Sequence, residues 1–350
     1  MLRGEVFPVL DWELLEKLCT AGGISGDEGD IRDIIIKEIT PFADSIKTDA
    51  LGNLIVFKSG KQRAERKLMI SAHMDEVGFI VTDIRDDGQL KFECVGGIND
   101  SAVFAKQVFV GKNKISGVVS SRPVHLLKSD EKGKNPPVNS LTIDIGASSK
   151  EQAEKYVEIG DSVIFDSFYD KNDERIISKA IDDRFGCLIL IELIKSDLPY
   201  DMNFVFCVQE EIGLRGARVA AYTVDPDSAI VIEATTAGDM PGAQGEKRVC
   251  QIGKGAVVSF MDRSTIYDRE YYHTAMNLGK ELNIPVQTKT MIAGGNDAGI
   301  IHMSRGGVRT IAVSVPCRYL HASESLISVQ DAENLFTLVK ALSEKIAAEK

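Results

Sequence analysis

Tryptophan occurs once in this chain of 350 residues, and aromatic residues of all kinds make up only 7%. Stacking platforms of the kind polysaccharide sites rely on are therefore scarce. No Cys-x-x-Cys pair is present either. The six cysteines, Cys19, Cys94, Cys187, Cys207, Cys250 and Cys317, are scattered and mostly set in apolar surroundings, which points to a reducing compartment. A basic block is also missing, and the net charge of −11 argues against nucleic acid or an anionic membrane as partner. No apolar run is long enough to cross a bilayer, and Met1-Leu-Arg-Gly-Glu-Val6 lacks a basic segment followed by an apolar one. A cytoplasmic location is expected. There is no internal repeat and no low-complexity segment. What remains is ordinary for a folded protein: 44% apolar and 27% charged residues, in a length that suggests two domains or one domain with a large insertion.

The chain is organised around Lys67-Leu-Met-Ile-Ser-Ala-His73-Met-Asp75-Glu76-Val-Gly78. The short apolar run Leu68 to Ala72 reads as a strand buried in a parallel sheet, and ligands bind at the carboxyl ends of such strands. Residues two apart on an extended backbone point the same way. Asp75 could therefore take a proton from the far nitrogen of His73 while the near one binds a metal. A solvated turn at a strand end is the plainer alternative for one His-x-Asp taken alone.

Upstream, Trp12, Leu14, Leu15 and Leu18 have helical spacing, and Gly22-Gly23 ends that helix. Ser25-Gly-Asp-Glu28 reads as a capping box opening a second helix through Ile31, Ile34, Ile35 and Ile39. Ser45 to Phe57 reads as a hairpin turning at Gly52-Asn53. Downstream, from Thr82 to about Asp170, helical periodicity is scarce. Short β-like runs appear at Leu90 to Val95, Ala102 to Val110, Ile115 to Ser120, Leu141 to Ile145 and Ser162 to Phe165, with a polar, proline-bearing loop over Ser129 to Asn139. Helix and buried-strand patterns then resume through Phe185 to Leu193, Met202 to Val208, Ala229 to Glu233, Met276 to Leu282, Thr310 to Val315 and Asp331 to Glu349. The economical architecture is an α/β domain of residues 1–81 and 171–350, interrupted by a small all-β domain over 82–170.

Four more acid or histidine sites occur at or just past runs of the α/β part. Asp182-Asp183-Arg184 taken alone reads as a solvated turn with an ion pair. Glu210 and Glu211 end a strand on opposite sides, so that one could ligate a metal while the other handles a proton; acids at a helix start fit equally well. Glu233 and His321 each follow a strand-like run. Together with His73 these form a pattern that chance rarely produces. Two histidines with three carboxylates suit zinc, cobalt or manganese, and one bridging carboxylate would hold two ions roughly 3.5–4 Å apart.

As an ordered set, Gly23-Ile-Ser-Gly26, Asp49-Ala-Leu-Gly-Asn53, Ser71-Ala-His-Met-Asp75, Ala180-Ile-Asp-Asp-Arg184, Gln209-Glu-Glu-Ile-Gly213, Glu233 with Ala237-Gly-Asp239, Gly294-Gly-Asn-Asp-Ala298 and Arg318-Tyr-Leu-His321 resemble the M42 family of co-catalytic metallo-aminopeptidases. The resemblance covers nearly the whole chain. It implies a mixed-sheet α/β/α peptidase domain with a PDZ-like inserted domain for assembly and substrate access. It also implies cleavage of N-terminal residues from short peptides and a homo-oligomer, a tetrahedral dodecamer built from dimers. Two divalent metal ions per subunit are implied, with His73 and Glu233 holding one, Glu211 and His321 the other, and Asp182 bridging them. Asp75 would orient His73, and Glu210 would be the general base and acid, acting on a metal-bridging water while the substrate's free amine meets the second ion. The family's peptide bond between Asp182 and Asp183 is expected to be cis. Glu233 departs from the Asp common at its position, and Asn296 from the Thr common at its own. Some relatives carry an endoglucanase label, which keeps glycoside hydrolysis as a second reading beside a metal-stabilised scaffold without activity. His125, His273 and His302 are assigned no ligand role, and neither Cys187 nor Cys317 has the histidine partner that a thiol nucleophile needs.

Overall fold

The computed structural model describes residues 10–120, 124–126, 136–243 and 245–350. The reading of Met1 to Val6 lies outside these residues, as does most of the expected loop over Ser129 to Asn139. Helix α1 (Trp12–Thr20) is capped by Asp11, whose Oδ1 accepts from the Leu14 amide at 2.9 Å. Helix α2 (Gly29–Ile39) buries Ile31, Ile35 and Ile39, as its spacing predicts. Its capping box does not form, because the Ser25 hydroxyl instead donates to the Asp75 carboxylate at 2.6 Å. A bond to an ionised acceptor outcompetes one to a neutral helix amide.

Strands β1 (Ser45–Thr48) and β2 (Leu54–Lys58) form the expected hairpin. Asp49 shapes its turn, with Oδ1 accepting from the amides of Leu51, Gly52 and Asn53. Strand β3 (Leu68–His73) is buried throughout and, apart from Ser71, is apolar on both faces until His73.

An antiparallel closed barrel then interrupts the α/β part. Its strands β4 (Gly78–Ile84), β5 (Leu90–Val95), β6 (Gln107–Val110), β7 (Ile115–Ser120), β8 (Thr142–Asp144) and β9 (Ser162–Phe165) close in the order β4-β5-β8-β7-β6-β9. One short helix, α3 (Lys150–Ala153), accompanies them. The barrel includes Gly78 to Val81, residues the sequence reading gave to the α/β part. Phe79 is the reason: it packs edge-on against Phe92 and Phe165 at 5.0 and 5.2 Å, in the centre of the barrel core. Such a buried phenylalanine contributes about 2–3 kcal/mol.

Beyond it, β10 (Asp170–Lys171) and β11 (Arg175–Ser178) lead into α4 (Ile181–Lys195), which is buried on nearly every side and serves as a central core helix. The rest of the chain supplies β12 (Met202–Cys207), α5 (Arg215–Val224), β13 (Ser228–Thr236), β14 (Ala256–Val258), α6 (Arg269–Glu281), β15 (Val286–Thr288), α7 (Ala298–Ile301), β16 (Arg309–Cys317), β17 (Ser325–Ser328) and α8 (Val329–Ala347). Eight strands form one mixed sheet in the order β1-β2-β12-β3-β13-β16-β14-β15. Its centre, β12-β3-β13-β16, is parallel, so four carboxyl ends point to the same edge. β13 runs three residues past Glu233, which therefore projects from within the strand rather than from its end.

Candidate metal centre

Five side chains converge beyond that edge. His73, the last residue of β3, is buried, and its Nε2 lies 3.5 Å from Asp182 Oδ1 and 3.8 Å from Glu233 Oε2. The other oxygen of Asp182, Oδ2, is 3.5 Å from Nε2 of His321, which in turn is 3.2 Å from Glu211 Oε1. Asp182 thus stands between two histidines with one oxygen toward each, and each histidine is backed by a second carboxylate.

The backbone around these residues is unusual. Asp182 and Asp183 precede the helical part of α4, in non-helical conformations joined by the expected cis peptide. Tyr319 and His321 have φ of 61° and 58°, left-handed values uncommon for residues with a Cβ. Two side-chain contacts help to hold that segment. Arg318 makes a paired bond to Asp239, Nε to Oδ1 at 2.7 Å and Nη2 to Oδ2 at 2.8 Å, tying the loop after β13 to the one after β16. The Gly97 carbonyl, from the barrel, lies 2.8 Å from His321 Nδ1 and leaves Nε2 to face Asp182.

Nδ1 of His73 is 3.0 Å from the backbone carbonyl of Asp75 and 3.6 Å from its carboxylate. The carboxylate is drawn away by closer donors: the Ser25 hydroxyl and the amides of Glu210 and Glu211, at 3.0 and 3.1 Å. Behind Asp182, Arg184 is fully buried rather than solvated. It donates to the carbonyls of Leu18 and Gly23 and faces Glu76, which Lys179 grips with 2.7 Å bonds to both oxygens. Asp183 is likewise a brace, accepting from the amides of His73 and Gly186.

The electrostatics follow from this crowding. Burial lowers the proton affinity of His321, but bonds to Asp182 and Glu211 win and push it up to about 11; His73 is raised for the same reason by Asp182 and Asp75. Burial favours protonation of Asp182 too, yet the two histidines hold it well below its ordinary range. Burial pushes Glu210 far above the usual carboxylate range, with Asp297, Glu211 and Asp75 pushing the same way against the pull of His73. Asp297, in the Gly294-Gly-Asn-Asp-Ala298 motif, is itself raised to about 7 by burial.

The donor set fits divalent metal ions on this geometry. Among the described residues, the buried oxygens Asp182 Oδ1 and Glu233 Oε1 find no hydrogen-bond partner, and such atoms are costly unless something positive meets them. Ligand atoms of His73, Asp182 and Glu211 all lie within 4.8 Å of one another, as do those of His73, Asp183 and Glu233. The remaining histidines lie in other settings. His125 is exposed on the insertion, His273 meets the Tyr272 ring, and His302 bonds the Ala298 carbonyl. Burial pushes the thiols of Cys187 and Cys317 upward, keeping them protonated.

Comparison with known proteins identifies the family. The profile of the M42 glutamyl aminopeptidase family matches residues 52–338. A lysyl aminopeptidase of Pyrococcus furiosus is 34% identical over 97% of this chain and 98% of its own length. The TET aminopeptidase of the marine sediment archaeon Thaumarchaeota archaeon SCGC AB-539-E09 superposes with a TM-score of 0.91 at 35% identity, covering 96% of each chain. The TET1 peptidase of Pyrococcus horikoshii, described as assembling into a tetrahedron or a large octahedral shell, gives 0.83 at 35% identity, over 95% of this chain and 98% of its own. Neighbours of this kind share the mixed α/β fold, and the family implies divalent metal ions. A profile spanning most of the sequence and relatives matched nearly end to end place this chain in the M42 family, among the aminopeptidases, and make it a peptide hydrolase.

Proposed function

We propose that the protein removes N-terminal residues from short peptides with Glu210 as general base and acid. The observation that carries this is Asp182 set between His73 and His321, with Glu233 beside the first and Glu211 beside the second. In this reading His73 and Glu233 hold one divalent cation, His321 and Glu211 hold another, and Asp182 is shared. Zinc suits these nitrogen and carboxylate donors, with cobalt or manganese as alternatives. Bound there, the two ions supply Lewis acidity that polarises the scissile carbonyl and makes water a stronger acid.

The chain's own residues do the rest. Glu210 is buried and inclined to hold a proton, which suits it to take one from the attacking water and deliver it to the nitrogen of the leaving amine. Asp75 grips the amides of Glu210 and Glu211 while its backbone carbonyl fixes the His73 ring. A groove of about 390 Å³, lined by Lys106 of the barrel, Tyr319 and Glu324, adjoins the segment that carries His321. We further infer that the chain acts in the cytoplasm as a homo-oligomer built, as in the TET1 peptidase, into a tetrahedral dodecamer, with the barrel as its PDZ-like assembly module. No described helix is long and apolar enough to cross a membrane.

Replacing Glu210 by Gln tests the assignment: both metals are retained and nearly all turnover is lost. Near-normal hydrolysis of an aminoacyl-nitroanilide by that variant would remove Glu210 from the role. Glycoside hydrolysis is not favoured, since the acids are gathered around histidines and the family is one of aminopeptidases. Chelator-sensitive release of nitroaniline, with no sugar released from soluble cellulose, separates the two.

A further inference from the structure

The loop after β12 carries both Glu210 and Glu211, and its first four amides all donate to side chains from the N-terminal part of the chain. The Val208 amide donates to Asn53 Oδ1 at 3.0 Å and the Gln209 amide to Glu28 Oε1 at 3.1 Å. Those of Glu210 and Glu211 donate to Asp75 Oδ1 and Oδ2 at 3.0 and 3.1 Å. The later amides, Gly213 to Gly216, close back on carbonyls of the loop itself. Asn53 also reaches the far end, its Nδ2 donating to the Gly216 carbonyl at 3.0 Å. One side chain therefore pins residues 208 and 216 together.

Each acceptor is buried and braced in turn. Asn53 donates to Asp49 at 2.6 Å, Glu28 accepts from the Gly26 amide at 2.7 Å, and Asp75 accepts from the Ser25 hydroxyl. Within the loop, Gln209 has φ 56°, which a residue with a Cβ adopts only when its surroundings hold it there. Glu28 sits at the N-cap of α2 yet makes no capping bond with its side chain. Its carboxylate is spent on the loop instead of on the helix.

We propose that Glu28 and Asn53, together with Asp75, are positioning residues: they fix the Glu210 carboxyl by holding the backbone of residues 208–211, without touching substrate. The proposal rests on the reading of Glu210 as the proton carrier. A side chain anchored through four amides has little freedom to drift, and misplacement of a reacting group by about 1 Å can cost about a hundredfold in rate.

The experiment compares Glu28→Ala, Glu28→Gln and Asn53→Asp in the full-length, zinc-loaded protein. Glu28→Ala is expected to lower kcat on an aminoacyl-nitroanilide by about 10–100-fold, with KM within about twofold and zinc content unchanged. Hydrogen exchange at residues 208–211 speeds up in the same variant. Glu28→Gln keeps a carbonyl for the Gln209 amide and recovers most of the lost kcat. Asn53→Asp keeps the acceptor for Val208 but sets a carboxylate against Asp49 and the Gly216 carbonyl, and it lowers kcat with faster exchange at both ends of the loop. The proposal is overturned if Glu28→Ala keeps its kcat, if Gln loses as much as Ala, or if kcat falls with exchange at 208–211 unchanged. A fully active Glu210→Gln would instead sink the assignment of the proton carrier and leave the exchange result standing.

Discussion

Asp182 and the two histidines beside it form a small electrostatic system in which protons and cations compete for the same atoms. In the metal-free protein His321 is raised from 6.5 to about 11, and His73 is raised with it. A group whose folded affinity for protons is raised lends stability that is complete below its unfolded pKa and lost as pH climbs through its folded one. The melting temperature of chelator-treated protein should therefore fall as pH rises from 6.5 toward about 11. Zinc needs the neutral imidazoles, so its binding releases protons and the melting-temperature gap between loaded and stripped protein widens over the same window. A gap that narrows with pH would contradict this. Asp75 gives a second test, because its two oxygens serve two amides, a hydroxyl and the His73 side. Asp75→Asn turns one acceptor into a donor facing another donor, and should cost about 10–100-fold in kcat/KM or metal affinity, read by steady-state assay and metal analysis after dialysis. The five proposed metal donors and Glu210 stand out in the sequence as candidates because each lies at or just past a strand-like run. Glu28 and Asn53 do not, since their partners lie 181 and 155 residues away.

Among the elements, the turn from β12 into α5 leaves no room for a side chain at Gly216. Gly216, in the first turn of α5, lies so close to β12 that a Cβ would run into the Val208 carbonyl and Asn53 Oδ1. Gly216→Ala should destabilise the loaded protein by about 1–3 kcal/mol in urea unfolding and lower kcat by loosening the same loop. Wild-type stability with wild-type kcat would show that the turn has slack. Most elements of this layer were readable from periodicity: β5, β7 and β9 begin and end where the apolar runs do. Others were not, for physical reasons. Ser25 chose a charged partner over a helix amide, and β13 continued past Glu233 because its pairing with β16 runs on to Thr236 and Cys317. The start of α6 at Arg269 was missed because its first turn is polar and is set by Asp268, which caps the amides of Glu270 and Tyr271.

At the scale of the molecule, the barrel and the α/β part are joined through the site as well as through the chain. The segment Val95-Gly96-Gly97, just past the start of the barrel, lies against both His321 and Glu211, the donors of one proposed cation position. The Gly97 carbonyl faces His321 Nδ1, and a Cβ on Gly96 would lie 3.3 Å from Glu211 Cβ and 2.7 Å from Val77 Cγ1. Gly96 also has φ 89°, where an L side chain is strained. In the proposed oligomer, subunit contacts on the barrel would thus act on Glu211 and His321 rather than on His73 and Glu233, which lie on the other side of Asp182. Gly96→Ala tests that asymmetry, because the added methyl must displace Val77 or its own barrel segment and crowds Glu211. Calorimetric zinc titration of the stripped variant should show one of the two binding steps weakened by about 10–100-fold and the other unchanged, with the oligomer intact by light scattering. Equal weakening of both steps would mean that the barrel acts on the whole centre, and no weakening would mean that it does not act on the site at all.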